Sequence, residues 1–331
     1  MPAIKFSHAL ISTKFANFWM DTGWKQKMEN RYLDLNTYFR NRFGERVHKI
    51  TVDAGLTCPN RDGTKGTGGC IYCNAKGSGT GAHARGLSIT EQLETGKIPV
   101  ARRFKAKKFV AYFQSFSNTY APVQRLQVMY DEALAVPNVV GLAIGTRPDC
   151  VSDEVLALLE AYARDRLIWI EYGLQSAHDD TLKRINRSHD TDTFTRAVRA
   201  TAGRGIQICA HIILGLPGES HDMMRASADF IAGLPIDGVK LHLLYVIKGT
   251  PMERLLNNGD YRCLEQSEYV DLVCDVIERL PQRMVIQRLT GDPHAHELVA
   301  PQWSLRKGET LKLIKARLVE RDTWQGRLAA K

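Results

Sequence analysis

A chain of 331 residues that is 44% hydrophobic and 24% charged can build one large α/β domain or two small ones, which excludes a disordered or fibrous protein. Its seven cysteines are odd in number and irregularly spaced, which argues against a disulfide framework and for a reducing cytoplasm, and no run of about 18 apolar residues offers a membrane span. A formal net charge of +9 favours polyanionic partners, nucleic acid first among them; the plainer reading is a solvated basic face.

The first 27 residues lack the continuous apolar core and cleavage site of a signal peptide. From Met28, the segment ENRYLDLNTYFRNRFGERVHKI reads as a helix leading into a first strand. Basic residues are dense here: Lys25, Lys27, Arg31, Arg40, Arg42, Arg46 and Lys49. Seven β-branched or aromatic runs then follow as strand candidates: HKITVD, KKFVAYF, VVGLAIG, LIWIEYG, IQICAHIIL, VKLHLLYV and MVIQRL. Helix candidates alternate with them at 123–135, 152–163, 192–203, 220–233 and 266–280, several opening on a Ser or Asp suited to capping. This βα repeat suits a full or partial parallel barrel with its helices outside. An open doubly wound sheet is the alternative, although no G-x-G-x-x-G follows the first strand. A basic amphipathic helix is expected over 304–320, with Lys312, Lys315 and Arg317, followed by Arg321 and Arg327. It either packs on the barrel or faces the polyanion.

Parallel barrels carry their chemistry on the loops after the strands. The unusual polar clusters of this chain fall there: 58–73, 114–119, Arg147 with Asp149, 175–189, 215–219, 248–250 and 290–292. Cys58, Cys70 and Cys73 stand in the first of these, within DAGLTCPNRDGTKGTGGCIYCNAKGSG. Three thiolates leave one iron of a four-iron cluster without a protein ligand, open to a small molecule. Gly63, Gly66, Gly68 and Gly69 let the long gap between the first two cysteines fold back. A zinc site using the same thiols with a fourth ligand such as His83 is an alternative, as are unliganded structural thiols. Cys150, Cys209, Cys263 and Cys274 read as buried structural thiols.

The stretches DAGLTCPNRDG with GGCIYC, TRPDCV, EYGLQSAHDDTLKRINRSHD, ILGLPGES, VIKGTPME and RLTGD, spread over residues 46–295, resemble the radical S-adenosylmethionine (SAM) enzymes. Within that family the chain looks most like the radical-SAM domain of the Elongator catalytic subunit and related bacterial proteins. The resemblance implies a partial parallel (β/α)6-type TIM barrel over 46–295; the flanking residues, 1–45 and 296–331, are read from the sequence itself as helical extensions. It also implies a [4Fe-4S] cluster on Cys58, Cys70 and Cys73, with SAM chelating the fourth iron and cleaved reductively to a 5′-deoxyadenosyl radical.

Further positions carry over one at a time. Tyr72 matches the aromatic residue between the last two cysteines, near SAM. Gln114 and Ser115, with Asn118 and Thr119, occupy the place of a glycine-rich segment that holds the SAM amine, although the sequence here is FQSFSNTYA. Gln175 matches a glutamine near the SAM ribose, and Arg187 an arginine pairing with the SAM carboxylate, a role suited to a planar guanidinium. Ordinary loop hydrogen bonding is the competing account for both. His211 falls where relatives carry an acidic residue toward the ribose; a satisfied core histidine is the plainer reading. The turn formed by Gly215, Leu216, Pro217, Gly218 and Glu219 either bounds the adenine pocket or is purely structural. Gly145 replaces an acidic residue found before TRPD in relatives.

Lys248, Thr250, Arg288, Thr290, Asp292 and His294 lie where substrates enter such barrels and suit a phosphate-bearing partner; salt-bridged barrel residues are the alternative. The resemblance and the basic charge together point to modification of a tRNA wobble uridine side chain. An electron donor such as flavodoxin or ferredoxin is implied; because no acetyltransferase sequence follows the barrel, any acetyl or carboxymethyl chemistry either differs or is shared with a second tRNA-modifying enzyme. The other readings are a radical SAM enzyme of a small metabolite or tetrapyrrole, and a zinc-stabilised nucleic-acid-binding protein without redox chemistry.

Overall fold

All seven apolar runs form strands in the computed structural model, which describes residues 31–74, 77 and 81–329. They are β1 (Val47–Val52), β2 (Lys108–Phe113), β3 (Val139–Thr146), β4 (Leu167–Gln175), β5 (Gln207–Leu214) and β6 (Gly238–Leu243), then, after a two-residue strand β7 (Val246–Ile247), β8 (Val285–Arg288). The sheet runs β1-β2-β3-β4-β5-β6-β8 with every neighbouring pair parallel, so it is the partial parallel barrel expected. β9 (Leu298–Ala300) pairs antiparallel with β7 in a separate ribbon.

Helices α1 (Leu35–Phe43), α2 (Ile89–Phe104), α3 (Val123–Ala135), α4 (Asp153–Ala163), α5 (Asp179–Arg184), α6 (Thr191–Thr201), α7 (His221–Ala232), α8 (Pro251–Asn257), α9 (Gln266–Arg279) and α10 (Lys307–Glu320) complete the described fold. Local sequence marks their starts. Ser152, Asp190 and Ser220 each accept a hydrogen bond from a first-turn amide, and Ser88 forms a reciprocal capping box with Glu91.

The two faces of the sheet have different tasks. Outward-facing Ile50, Phe113, Ile144, Ile170, Ile212 and Leu241 join the helices in the main core. Inward-facing Val110, Ala143, Leu167, Trp169, Cys209 and Val285 meet Leu33 and Phe39, so α1 plugs the end of the barrel where the strands begin. The Tyr38 ring meets Trp169 edge-on at 5.6 Å. At the opposite end a smaller apolar cluster of Leu182, Ile185, Ile213, Leu216, Val246 and Met252 packs against Ile71 and Tyr72, forming a shelf beneath the cysteine loop.

Two boundaries differ from the sequence expectation. Residues 1–30 lie outside those described; within the described chain the first helix starts at Leu35, because the Asp34 side chain accepts from the amides of Asn36 and Thr37 and so sets the cap there. Just before it, the Leu33 carbonyl accepts from the Ile286 amide at 2.8 Å, which holds that segment extended beside β8. The C-terminal helix begins at Lys307, and residues Gln302–Leu305 form a 3-10 turn that seats Trp303 against Tyr269. That helix packs on the barrel side: Arg317 and Arg321 bond Asp271 and Asp275 of α9. Lys49, grouped by sequence with the basic N-terminal region, points into the barrel and pairs with Glu171 at 2.6 Å.

Candidate metal and cofactor site

The loop after β1 is wound tightly around its own backbone. The Cys58 carbonyl accepts from the amides of Arg61 and Asp62, the Pro59 carbonyl from Lys65 and Gly66, and the Asn60 carbonyl from Gly69, which returns Cys70 toward Cys58. Asp62 and Thr67 close the excursion as an antiparallel bridge. Gly68 and Gly69 both take φ of +78°, and a Cβ on Gly66 would stand 2.7 Å from Asn60 Oδ1. A turn closed by the Cys73 amide on the Cys70 carbonyl, at 2.9 Å, then keeps the last two thiols within electrostatic reach of each other. All three are free thiols, and Cys73 senses charge on both of the others. Burial pushes the Cys73 thiol pKa up against the pull of the Arg61 guanidinium, whose Nη2 donates to the Cys73 and Asn74 carbonyls.

The loop after β4 clasps this first loop. Asn60 Nδ2 donates to the Asn186 carbonyl at 2.6 Å, Ser188 Oγ to Asn60 Oδ1 at 2.6 Å, and Asn186 Nδ2 to the Gly69 carbonyl at 2.8 Å. Arg187 is buried, with Nη1 at 3.7 Å from the Cys70 sulfur and Nη2 at 2.6 Å from the Gly173 carbonyl. Burial opposes its charge, yet the neighbouring Cys70 sulfur and Tyr72 oxygen hold its pKa above the ordinary value. Burial also drives the Tyr72 phenol well above its usual range, with Cys70 adding to the effect. Gln175 ends β4 at φ +80°, a conformation that costs a non-glycine residue about 1–2 kcal/mol, and its side chain has no hydrogen bond among the described residues. A Cβ on Gly173 would meet both Arg187 Nη2 and Gln175 Nε2 within 2.6 Å, so these two polar groups crowd one point beside Cys70.

The loops after β2 and β3 supply a second wall. Asn118 is held on the Gly145 carbonyl through its amide and its side-chain nitrogen, and Thr119 bonds Thr146 and the Cys150 carbonyl, both at 2.6 Å. Ser115 Oγ, Ser117 Oγ, Asn118 Oδ1, Arg147 Nη1 and Arg187 Nε are buried without an internal partner. Buried polar atoms are normally satisfied, so their gathering on one rim marks a place shaped for polar ligands. Gln114 leads into this wall, its amide bonded to the Val52 carbonyl. A Cβ on Gly145 would approach the Phe113 carbonyl to 3.2 Å, which leaves no easy room for an acidic side chain there. Arg147 and Lys65 hold the Asp149 carboxyl well below the usual range although burial pushes the other way.

One layer below the rim the barrel interior is charged. Glu171 accepts from Lys49, Lys240 and His211, and is fully buried. The two lysines keep its carboxyl well below the usual range in spite of burial. His211 is thus committed to Glu171 at 2.9 Å, the satisfied interior histidine of the plainer reading, and burial lowers its pKa to about 4. Glu171 and Lys240 carry a signal that sequence reading passed over: single charges inside the apolar runs LIWIEYG and VKLHLLYV. Asn60, Asn186 and Ser188 were missed as well, because their partners lie more than a hundred residues away.

The remaining expectations divide. Gly218 is required by packing, since a Cβ would strike Arg184, which donates to the Pro217 carbonyl; the 215–219 turn thus has a structural task of its own. Asp292 pairs with Lys307, and the Thr250 hydroxyl bonds the Ile247 carbonyl, whereas the Arg288 side chain makes no hydrogen bond or ion pair among the described residues. Cys209, Cys263 and Cys274 are buried. Cys150 lies near Cys58 on the rim, its pKa pushed up to about 12 by burial. His83 stacks over Gly55, where a Cβ would meet its ring within 2.5 Å, and no group of three or more His, Cys, Asp or Glu suited to a single metal ion forms among the described residues.

The donor set fits an iron–sulfur cluster: three soft thiols that share one rim, backed by an arginine and an apolar shelf. The chain matches the family model of the Radical SAM superfamily over residues 61–231 and that of the Radical_SAM C-terminal domain over residues 236–320. It is 42% identical over 299 residues to the uncharacterized protein YtqA of Bacillus subtilis, across 90% of this chain and 93% of that one. With protein YhcC of Escherichia coli it shares 40% identity over 263 residues, 79% of this chain and 84% of the other. Human Elongator complex protein 3 is 28% identical over 168 residues, 50% of this chain but 30% of that protein. The solved structure of the archaeal Methanocaldococcus infernus Elp3 with an N-terminal deletion superposes with a TM-score of 0.64 at 16% identity, covering 84% of this chain and 64% of that one, a likeness of fold.

Proposed function

Since the chain belongs to the radical SAM superfamily and is an enzyme of that class, we propose that Cys58, Cys70 and Cys73 hold a [4Fe-4S] cluster and that Tyr72, Gln114, Ser115, Gln175 and Arg187 bind SAM beside it. The observation that carries this assignment is the clasp of Asn186, Arg187 and Ser188 onto the cysteine loop, which joins the thiols to a rim of unsatisfied polar atoms. When bound, the cluster and SAM supply one-electron cleavage of SAM and a radical that abstracts a substrate hydrogen.

The chain's own residues bind, orient and exclude water. Arg187, with one face on Cys70, has its Nε left to pair with a carboxylate. The strained Gln175 holds an amide beside it, and the Ser115 hydroxyl offers a contact from the loop after β2. Tyr72 and Ile71 rest on the apolar shelf and keep water from the cysteine sulfurs on that side. His211 belongs to the Glu171 layer beneath and is not included in the SAM contacts.

The substrate we favour is tRNA, modified at a wobble uridine side chain. Its support is the similarity to Elongator complex protein 3 together with the net charge of +9. Flavodoxin or ferredoxin would supply the electron, and a second tRNA-modifying enzyme would act alongside it. Comparing tRNA nucleosides from cells with and without the gene tests the reading. A wobble nucleoside that changes on deletion and returns with the wild-type gene, but not with Cys70→Ala, is the expected result; an unchanged set of nucleosides would exclude tRNA as the substrate.

A further inference from the structure

The charged layer inside the barrel is unbalanced. Glu171 already serves Lys49 and Lys240, and Arg288 acts on Lys240, whose pKa burial lowers to about 7, with no carboxylate bonded to its own guanidinium among the described residues. Arg288 is half-buried and senses Lys240, His211 and His242, and its side chain makes no hydrogen bond or ion pair among the described residues. Two further groups beside it are unspent. Gln287 directs Oε1 to Lys49 Nζ at 2.5 Å, which turns its NH2 away, and that nitrogen is buried without a partner; His242 Nε2 is buried and unpartnered too. Leaving buried donors without an acceptor is unfavourable, so Gln287 Nε2 and, in its Nε2–H tautomer, His242, set beside the half-buried Arg288 guanidinium, form a site suited to an anion that arrives from outside.

We propose that Arg288, Gln287 and His242 form an oxyanion receptor inside the barrel, which holds the carboxylate or phosphate group of a small substrate or co-substrate beneath the cysteine rim. This rests on the radical SAM reading of the same barrel. Tyr245 connects the two levels: its ring packs on Gly291, where a Cβ would meet it at 2.5 Å, and it senses charge on both Arg288 and Cys73. A ligand anchored on Arg288 therefore extends its uncharged part toward the cysteines. Glu171 stays ionised and neutralised by the lysines, which leaves the guanidinium free for the ligand.

The test uses oxygen-free protein carrying its cluster and saturated with SAM, unreduced, so that the SAM carboxylate is not the anion being read. Thermal unfolding is followed against malonate in one arm and inorganic phosphate in the other, for the wild type and Arg288→Gln. A saturable stabilisation whose half-saturation weakens at least about tenfold in Arg288→Gln is expected, since a charge-assisted hydrogen bond is lost. Saturation by malonate identifies a carboxylate ligand, and saturation by phosphate a phosphoryl one. Stabilisation that never saturates, or that is equal in both proteins, is the general effect of excluded salts and overturns the receptor. If Arg288→Gln fails to retain its iron, His242→Phe, of similar outline, takes its place under the same readings. Unchanged tRNA nucleosides would end the tRNA reading and leave this result standing, whereas loss of the saturable response would end the receptor alone.

Discussion

Arg187 lies with Nη1 3.7 Å from the Cys70 sulfur and Nη2 2.6 Å from the Gly173 carbonyl, so one buried guanidinium ties the cysteine loop to the end of β4. Arg187→Lys keeps a charge but cannot span both contacts. The variant should lose iron during purification and bind SAM at least about tenfold more weakly, as expected when a charge-assisted pairing is removed. Iron content and equilibrium binding of SAM to reconstituted protein give both quantities. Full iron and unchanged affinity would remove Arg187 from the site.

The cysteines separate by position. Replacing Cys58, Cys70 or Cys73 with Ala should abolish the brown chromophore and all SAM cleavage on reduction. Cys274, buried against the Ile314 carbonyl among apolar neighbours, should behave otherwise. Cys274→Ala should keep about four irons per chain and lower stability by roughly 1 kcal/mol. Iron analysis with the visible spectrum distinguishes the two groups.

The glycine loop offers a test of local geometry. A Cβ on Gly69 would stand 2.8 Å from Arg61 Nε and would sit at φ +78°. Arg61 donates to the Cys73 and Asn74 carbonyls, so displacing it shifts the third cysteine. Gly69→Ala should therefore halve iron content or worse while costing only about 1–2 kcal/mol in stability. A variant that loads iron like the wild type would show that the loop has slack.

These cases indicate what the sequence makes legible. The strands are legible because runs such as LIWIEYG are apolar on both faces: Ile168, Ile170 and Tyr172 turn outward to the helices while Leu167 and Trp169 turn into the barrel. The cysteine loop is equally plain, because its thiols and glycines lie within 16 consecutive residues. The clasp is not: Asn60 meets Asn186 across 126 residues, and nothing local to either distinguishes it from a surface asparagine. Charge is misread for the same reason. Arg317 and Arg321 look available to a polyanion until α9 brings Asp271 and Asp275 beside them, and Lys49 looks like part of a basic surface until β4 brings Glu171.

His211 makes stability depend on pH. Burial lowers its pKa to about 4 in the folded chain, so the ring stays neutral there while the unfolded chain gains a proton as pH falls through about 6.5. The unfolded state binds more protons across that interval, and stability is lost as pH drops from about 6.5 to about 4. The groups facing the ring are Glu171, which favours the charged form, Lys240 and Arg288, which oppose it, and the His242 ring, whose centroid lies 5.5 Å away. His211→Gln should flatten the decline by on the order of 2 kcal/mol, measured as urea unfolding of oxygen-free protein at pH 6.5 and pH 4.5. An identical slope in the variant would assign the decline to other groups.

Gly141 and Gly145, four residues apart on β3, should respond to alanine to different degrees. A Cβ on Gly141 would lie 2.0 Å from the Leu167 carbonyl oxygen, and Leu167 is its ladder partner on β4. That oxygen cannot withdraw without parting the two strands at the centre of the sheet, where Trp169 and α1 close the barrel. At Gly145 the nearest atom is the Phe113 carbonyl at 3.2 Å, which needs only a few tenths of an ångström to yield. Gly141→Ala should cost about 3 kcal/mol or more, whereas Gly145→Ala should cost under about 1.5 kcal/mol. Gly145 also presents the carbonyl that anchors Asn118, so its variant should retain the fold yet weaken SAM binding as the Ser115–Asn118 wall shifts. Urea unfolding and SAM affinity measured together resolve these effects, and equal destabilisation of the two variants would contradict the strand packing described for β3.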